Sequence, residues 1–334
     1  MILAADIGGT SSRLAVFDLA DGRFSLVEEE RYASREHRAL EEIVRAFRAS
    51  HRGRVEQACF AVAGPVVAGR VQAPNLPWTV EAEALARELG LPAVGLLNDL
   101  EAKAYGIPAL DARDLLTLNP GSSPATGNQA VIAAGTGLGE AGVYLRGGEA
   151  YPFAAEGGHS SFAPATDLEG ELLLFLRRKF GPHVSWERVV SGPGLVNIYE
   201  FLRDTGRGTE PVWLADAIRS GDAGAAISKA AQDGTSELCA QALGLFVSAY
   251  GAEAGNLALK MLATGGVFVG GGIAPKILHA LKQGAFMRAF VAKGRLQRLL
   301  ETIPVQVLLN DGTGLLGAAR WLTLGASSTK ARPS

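Results

Sequence analysis

The chain has 334 residues, of which 48% are hydrophobic and 20% charged, with a formal net charge of −2. It is long enough for two domains of ordinary size, its composition is globular, and no basic block runs along it, which argues against nucleic acid or an anionic membrane as partner. The two cysteines, Cys59 and Cys239, form no CxxC pair and the five histidines are scattered, so a disulfide framework, a zinc ribbon and a His-rich metal cluster are excluded.

Residues 2–6 read as an apolar strand, Gly8-Gly9 as a turn, and the alternating 13–18 as a second strand. Asp21-Gly22 turns the chain again and 23–31 returns, which completes a meander. A helical stretch is expected near 39–50, a strand over 57–63, and a helix over 81–90 stopped by Gly90. Residues 93–97 form a short apolar strand that runs into Asn98-Asp99. The pattern then restarts: 129–153 reads strand, glycine turn, strand, glycine turn, strand. Helices are expected over 168–180, 193–203, 211–220, 222–232 and 236–262, then strands over 267–272 and 304–309, and a last helix over 312–324.

Strands alternating with helices make the class α/β, and the repeated meander suggests a duplicated architecture. The expected division is a small domain of residues 1–108 plus 311–330, a large domain of 109–310, and a flexible tail over 326–334. The first residues carry no basic stretch and meet an acid at Asp6, unlike a secretory signal. No run of about 18 apolar residues suggests a membrane span. A cytoplasmic setting is therefore expected.

Three glycine loops stand out: "DIGGTSSR" (6–13), "AGTGLGEAG" (134–142) and "GGVFVGGG" (265–272). Such loops expose backbone amides that can cradle phosphate oxygens, although each alone could be only a tight hairpin. Residues 137–142 match G-x-G-x-x-G, but that fingerprint requires a helix directly after it, and "GVYLRGG" reads as a strand. A nicotinamide-dependent oxidoreductase built on this match is therefore disfavoured. Neither a P-loop nor a G-x-S-x-G elbow occurs. The remaining reading is two hairpin turns that hold nucleotide phosphates from two sides. Asp6, at the end of the first strand, is suited to a phosphate-borne Mg²⁺ held through water. Thr10 and Thr136 offer hydroxyls beside the glycines, and the glycines of 270–272 would let the backbone pass close to an adenosine.

The motifs "DIGGT", "NDLEAKAYGIPAL", "AGTGLG", "EGGHSSFAP", "ERVVSGPGLVNIYEFL", "GGVFVGGGIAPK" and "GLLGAA" occur in the order seen in bacterial glucokinases, from about residue 2 to 322. The chain resembles that family, ATP-dependent hexose kinases of the two-domain actin/hexokinase-like (ribonuclease H-like) fold with an interdomain cleft. It lacks the cysteine cluster that the related repressor/kinase group carries after its "E-x-G-H" histidine, so the resemblance is to the zinc-free branch and no structural zinc is expected. The resemblance implies glucose and ATP as substrates, Mg²⁺ as cofactor and a homodimer.

It also implies a set of site residues. Asp99 is the general base for the sugar 6-hydroxyl, and Asn98, Asp99, Glu156, His159 and Glu187 surround the sugar, with Asn75 joining from a loop. Ala5, Asp6, Ile7, Gly8, Gly9, Thr10 and Arg13 of the first loop face the nucleotide. So do Thr136, Gly137 and Gly139 of the second and Gly271 and Gly272 of the third. Closure of the two domains on the sugar should exclude water. Each residue has a plainer reading. Asn98 suits a helix N-cap with Glu101 as its capping-box partner, Glu156 a solvated loop, His159 a core or loop histidine, and Glu187 a cap. Asp99 would then lie in a first helical turn, where the dipole favours its ionised form. A second Asn-Asp pair, at 310–311, reads as the lead-in to the last helix. Two further functions stay open beside glucose phosphorylation: a non-catalytic sugar sensor on the same fold, and a kinase for another hexose.

Overall fold

The computed structural model describes every residue except 52, 73–75, 77, 123 and 328–334. In chain order the strands and helices are β1 (Ile2–Ile7), β2 (Ser11–Ala20), β3 (Arg23–Ala33), α1 (Leu40–Ser50), β4 (Gln57–Val62), β5 (Arg70–Gln72), β6 (Thr79–Glu81), α2 (Ala82–Leu89), β7 (Gly95–Asn98) and α3 (Asp99–Gly106). They continue with β8 (Leu115–Asn119), β9 (Gln129–Ala134), β10 (Leu138–Arg146), β11 (Glu149–Ala155), α4 (Asp167–Phe180), α5 (Gly192–Asp204), α6 (Val212–Ser220), α7 (Ala223–Gln232) and α8 (Glu237–Met261). The last are β12 (Gly266–Gly270), α9 (Leu278–Lys282), α10 (Ala285–Val291), α11 (Gln297–Glu301), β13 (Val305–Leu308) and α12 (Thr313–Ser327). The chain divides into two compact units: Met1–Ala112 with Pro152–Ala154 and Asn310–Ser334, and Arg113–Tyr151 with Ala155–Leu309.

The first unit is built on a sheet in the order β3-β2-β1-β4-β7. β1 is antiparallel to β2 and parallel to β4, and β7 is parallel to β4. Side chains of a strand alternate between faces, and β1 uses both. Leu3, Ala5 and Ile7 pack with Ile43, Val44 and Phe47 of α1 and Leu85 of α2. Ile2 and Ala4 pack on the opposite side with Ala102 of α3 and Leu315, Ala318 and Ala319 of α12. A glycine pair brings α3 and α12 together. A Cβ on Gly106 would overlap the Thr313 carbonyl, and one on Gly317 would overlap the Ala102 carbonyl. Only bare backbone permits this crossing, and α3 is the helix that carries Asp99.

The second unit is built on a sheet in the order β11-β10-β9-β12-β13-β8. The expected meander of β9, β10 and β11 is present, with β10 antiparallel to β9, and β12 and β13 add parallel strands. β8 was not expected from the sequence; it closes the far edge antiparallel to β13. α8 is apolar around most of its circumference because it runs through the core, with Phe246, Val247, Tyr250 and Leu257 buried. Gly251 and Gly255 let it press against the backbone of Phe286 and Phe290 in α10.

Two expected strand bounds need correction. The strand expected over 267–272 ends at Gly270, because Gly271 takes a left-handed φ of 85° that turns the chain out of the ladder. The strand expected over 93–97 is shifted to Gly95–Asn98, so Asn98 closes the strand and also opens the helix. α12 runs to Ser327, past the first residue of the expected tail. Residues 328–334 lie outside the described residues.

Candidate active site

In the first unit the loop between β1 and β2 is a tight turn closed by Gly8 N donating to Ser11 O at 3.0 Å. Ser34 pins it from below. Its hydroxyl donates to Gly8 O at 2.7 Å and meets Ser12 Oγ at 2.9 Å, while its amide donates to Thr10 O at 3.2 Å. Ser12 and Ser34 are fully buried, so the loop is fixed from within while Thr10 stays exposed. Ala5 and Ile7, grouped with this loop in the sequence, have no surface. They are core residues of a strand paired on both sides, and they position the loop without facing it. Arg13 spends its guanidinium on Glu29 (2.8 Å) and on the Asp311 carbonyl (2.8 Å), which ties β2 and β3 to the start of α12.

Asp99 is the first residue of α3. Asn98 caps that helix, its Oδ1 accepting from Leu100 N at 2.9 Å and Glu101 N at 3.2 Å, while its Nδ2 donates to Gly64 O at 3.2 Å. The Asn98 amide in turn favours the ionised Glu101 carboxyl, although burial outweighs it and the net shift is upward. The cap thus forms as its residue types predict. Asp99 departs from the expectation. Burial pushes its carboxyl up, Asp6 adds to the rise, and the backbone amides of the first turn and Lys103 pull the other way without prevailing. Desolvation therefore outweighs the helix N-terminus at this position.

Lys103, one helical turn beyond Asp99, has its ammonium 3.9 Å from the Asp99 carboxylate. Burial lowers its proton affinity, but Asp6 and Asp99 more than compensate, so it is firmly protonated. A Cβ on Gly314 would lie 3.3 Å from Asp6 Oδ2 and 3.7 Å from Lys103 Cγ, so both side chains lean on one bare patch of α12. Asp6, Asp99, Lys103 and Gly314 thus form one cluster inside this unit. Sequence reasoning missed Lys103; the signal was its i,i+4 spacing from Asp99. Among the described residues no group of three or more His, Cys, Asp or Glu could cage a metal. A single carboxylate beside a glycine suits a hard cation that arrives with phosphate ligands of its own.

In the second unit the Thr136 turn is closed by Gly135 N donating to Gly137 O at 2.8 Å, with Gly192 N donating to Gly135 O at 2.8 Å. Thr136 is exposed and Gly139 lies within β10, so the G-x-G-x-x-G match sits in a hairpin, as the sequence suggested. Tyr250, fully buried in α8, knits the strand ends behind the turn. Its hydroxyl accepts from Ala134 N and reaches Ile132 O and Gly270 O. Gly271 is required at the next position because a Cβ there would overlap the Ala134 carbonyl, while a Cβ on Gly272 would meet open space.

Glu156 leads into a single 3-10 turn, Gly157–His159, closed by His159 N donating to Glu156 O at 3.1 Å. Both side chains are about half exposed and 4.0 Å apart. The segment 183–187 runs alongside: His183 Nε2 meets His159 O, Trp186 N donates to Ser160 O at 2.9 Å, and Phe162 N donates to Val184 O at 2.8 Å. This brings Glu187 next to the turn. Its Oε2 accepts from Leu138 N at 3.0 Å, and a Cβ on Gly137 would come within 2.5 Å of it. Glu187 is therefore not a cap but a strut between the Thr136 loop and the Glu156–His159 turn. Asn75 lies outside the described residues.

Comparison with known proteins gives a consistent picture. The family model described as Glucokinase matches residues 3–324. A glucokinase of Nostoc sp. is 44% identical, covering 96% of this chain and 98% of its own. The crystal structure of a glucokinase from an Antarctic psychrotroph superposes with a TM-score of 0.80 at 33% identity, covering 97% of this chain and 98% of that one. A glucokinase of the repressor/kinase group from Streptomyces griseus, in complex with glucose and AMPPNP, gives a TM-score of 0.65 at 25% identity, covering 96% and 98%.

Proposed function

Because the chain belongs to the glucokinase family, with the actin-like ATPase fold of its structural neighbours, we propose a reading of its site that starts from that activity. The reaction is ATP-dependent phosphorylation of glucose. The observation that carries the reading is Asp99 at the first turn of a capped helix, its carboxyl raised by burial and held beside Lys103.

Asp99 takes the proton of the glucose 6-hydroxyl as that oxygen attacks the γ-phosphorus. The new O–P bond forms as the bond to the β,γ-bridging oxygen breaks, ADP leaves, and the proton on Asp99 returns to solvent. A raised carboxyl is the better base, since proton-transfer catalysis improves as the base approaches the working pH. A placed base contributes roughly 10²–10⁴-fold. Asn98 fixes the turn from which Asp99 acts, and one N–H of its amide remains to bond a sugar oxygen. Glu156, His159 and Glu187 hold further hydroxyls. Lys103 supplies a fixed positive charge beside the base.

The backbone amides of Gly9 and Gly137, with the hydroxyls of Thr10 and Thr136, hold the ATP phosphates, and Gly8 and Gly139 shape the two turns that carry them. Mg²⁺ bound with the nucleotide would lie by Asp6 through water and neutralise phosphate charge. Gly271 and Gly272 pass close to the adenosine. Arg13 orders the first loop through Glu29 and Asp311. Asn75 stays a further sugar ligand by resemblance alone.

We also infer a homodimer in a reducing cytoplasm. Cys59 and Cys239 are buried free thiols, both pushed up by burial, and no described helix is long and apolar enough to cross a membrane. Val212 and Trp213 lie exposed side by side at the start of α6, a face that a second copy could cover.

The test is glucose-dependent release of ADP. Asp99→Asn should still bind glucose and lose turnover by at least about a hundredfold. Robust turnover by that variant would sink the assignment of the base.

A further inference from the structure

Glu140 is a carboxyl in an unusual place. It lies in β10 with 1% of its surface exposed, and one of its oxygens, Oε1, has no hydrogen-bond partner. Its other oxygen lies directly under the backbone of Gly157, so closely that a Cβ on that glycine would overlap Oε2. On its far side it faces Glu253 of α8, which is itself wholly buried. Two buried carboxyls that face each other cannot both be ionised at little cost. Both Glu253 oxygens have partners of their own: Oε2 accepts from Asn256 Nδ2 at 2.7 Å and Oε1 from Lys260 Nζ at 3.2 Å. Lys293 backs that group by donating to Asn256 Oδ1 and Ala252 O. Tyr250 also faces Glu140, but its hydroxyl is spent on Ala134, Ile132 and Gly270. Above lie Glu156 and His159. Burial first, then Glu253, push the Glu140 carboxyl up to about 8.

We propose that Glu140 is a positioning residue for the sugar-binding turn. With its proton it lies neutral under Gly157 and holds Glu156 and His159 in register; without the proton the turn is displaced and glucose is held more weakly. The inference rests on the reading that this turn binds glucose. The physical reason is which side can yield. Glu253 lies in a core helix and Glu140 in a strand paired with β9, whereas the turn is a single 3-10 turn with exposed side chains at both ends. A second negative charge under Gly157 is relieved by lifting the turn and admitting water.

The experiment compares the KM for glucose, at saturating ATP, for the wild-type chain and Glu140→Gln from pH 6.5 to 9.5. A Gln amide can still donate to Glu253 and cannot ionise. The wild-type KM is expected to rise about tenfold between pH 7 and pH 9, from the linkage of a single proton to binding. The Gln variant is expected to stay flat. A wild-type KM that does not change, or a Gln variant that rises in parallel, overturns the proposal. His159→Ala, measured alongside, tests the sugar reading separately. An unchanged KM there fails that reading, whereas a raised KM with a flat wild-type profile fails only the role of Glu140. Should the Gln variant not fold, the wild-type affinity for glucose by tryptophan fluorescence decides the same question, since a pH-independent affinity overturns the proposal.

Discussion

Glu187 gives one carboxylate oxygen to the amide of Leu138, 3.0 Å away, and so joins a residue proposed to hold glucose to a loop proposed to hold phosphate. On that proposal one side chain would serve two substrates. Glu187→Ala should raise the KM for glucose by loss of a hydroxyl partner. It should raise the KM for ATP as well, because it leaves the Leu138 N–H without its acceptor. An orphaned amide costs about 1–3 kcal/mol, so the second effect is of the order of tenfold. Glu187→Gln keeps a carbonyl oxygen for Leu138 and should recover the KM for ATP. A KM for ATP unaffected by the alanine variant would show that the strut carries nothing.

Lys103 gives a second prediction. Its ammonium is 3.9 Å from Asp99, and it is the charge that pulls the Asp99 carboxyl down. Removing an opposite charge at this range raises a carboxyl. The acid limb of kcat/KM in Lys103→Met should therefore move to higher pH, with kcat reduced on the acid side. Lys103→Arg keeps the charge and should restore the limb. A methionine variant with the wild-type pH profile would refute the coupling, even if its stability fell.

The crossing of α3 and α12 sets up a third. Gly317→Ala would put a methyl group into the Ala102 carbonyl, and neither backbone can yield without moving its helix. Overpacking of this kind costs roughly 1–3 kcal/mol. Gly170 is the control: it lies inside α4, and a Cβ there meets nothing. Gly170→Ala should be neutral or stabilising by up to about 1 kcal/mol. Urea titrations of both variants check the contrast. Because α3 carries Asp99 and Lys103, Gly317→Ala should also lower kcat, while Gly170→Ala should not.

These residues also mark how far the sequence could be read. β1 to β3 and β9 to β11 were legible because period-two alternation and glycine turns are local signals. The cap of α3 was legible for the same reason: Asn98 and Glu101 are three residues apart. β8 was not, since its partner β13 lies far along the chain and its five residues, LLTLN, alternate little. α9, α10 and α11 have five, seven and five residues and no side-chain cap, so no start signal announced them. Glu140 was hidden because a carboxylate in a glycine loop reads as solvated, and Glu253 because it is a lone acid in an apolar helix. Only the packing of Gly157 and α8 against β10 reveals the pair. The direction of the Asp99 shift was misjudged because a helix terminus is visible in sequence and desolvation is not.

That misjudged direction yields the last prediction. A carboxyl raised in the folded chain binds its proton more tightly there than in the unfolded chain. The stability associated with it is fully present below the ordinary carboxylate range. It is lost as the pH climbs through the raised value, and above that value the ionised Asp99 strains the fold. Asp99→Asn removes that charge while keeping the size and the hydrogen bonds of the helix start. Lys103 is not stranded, because Asp6 still faces it. The variant should therefore melt no lower than wild type at pH 7 and gain on it as the pH rises from acid, while its turnover collapses. Denaturant midpoints at pH 4 and pH 7 test this. A variant that is destabilised more at pH 7 than at pH 4 would mean that Lys103 dominates Asp99 and that the carboxyl is held down, not up. The site would then trade no stability for its base.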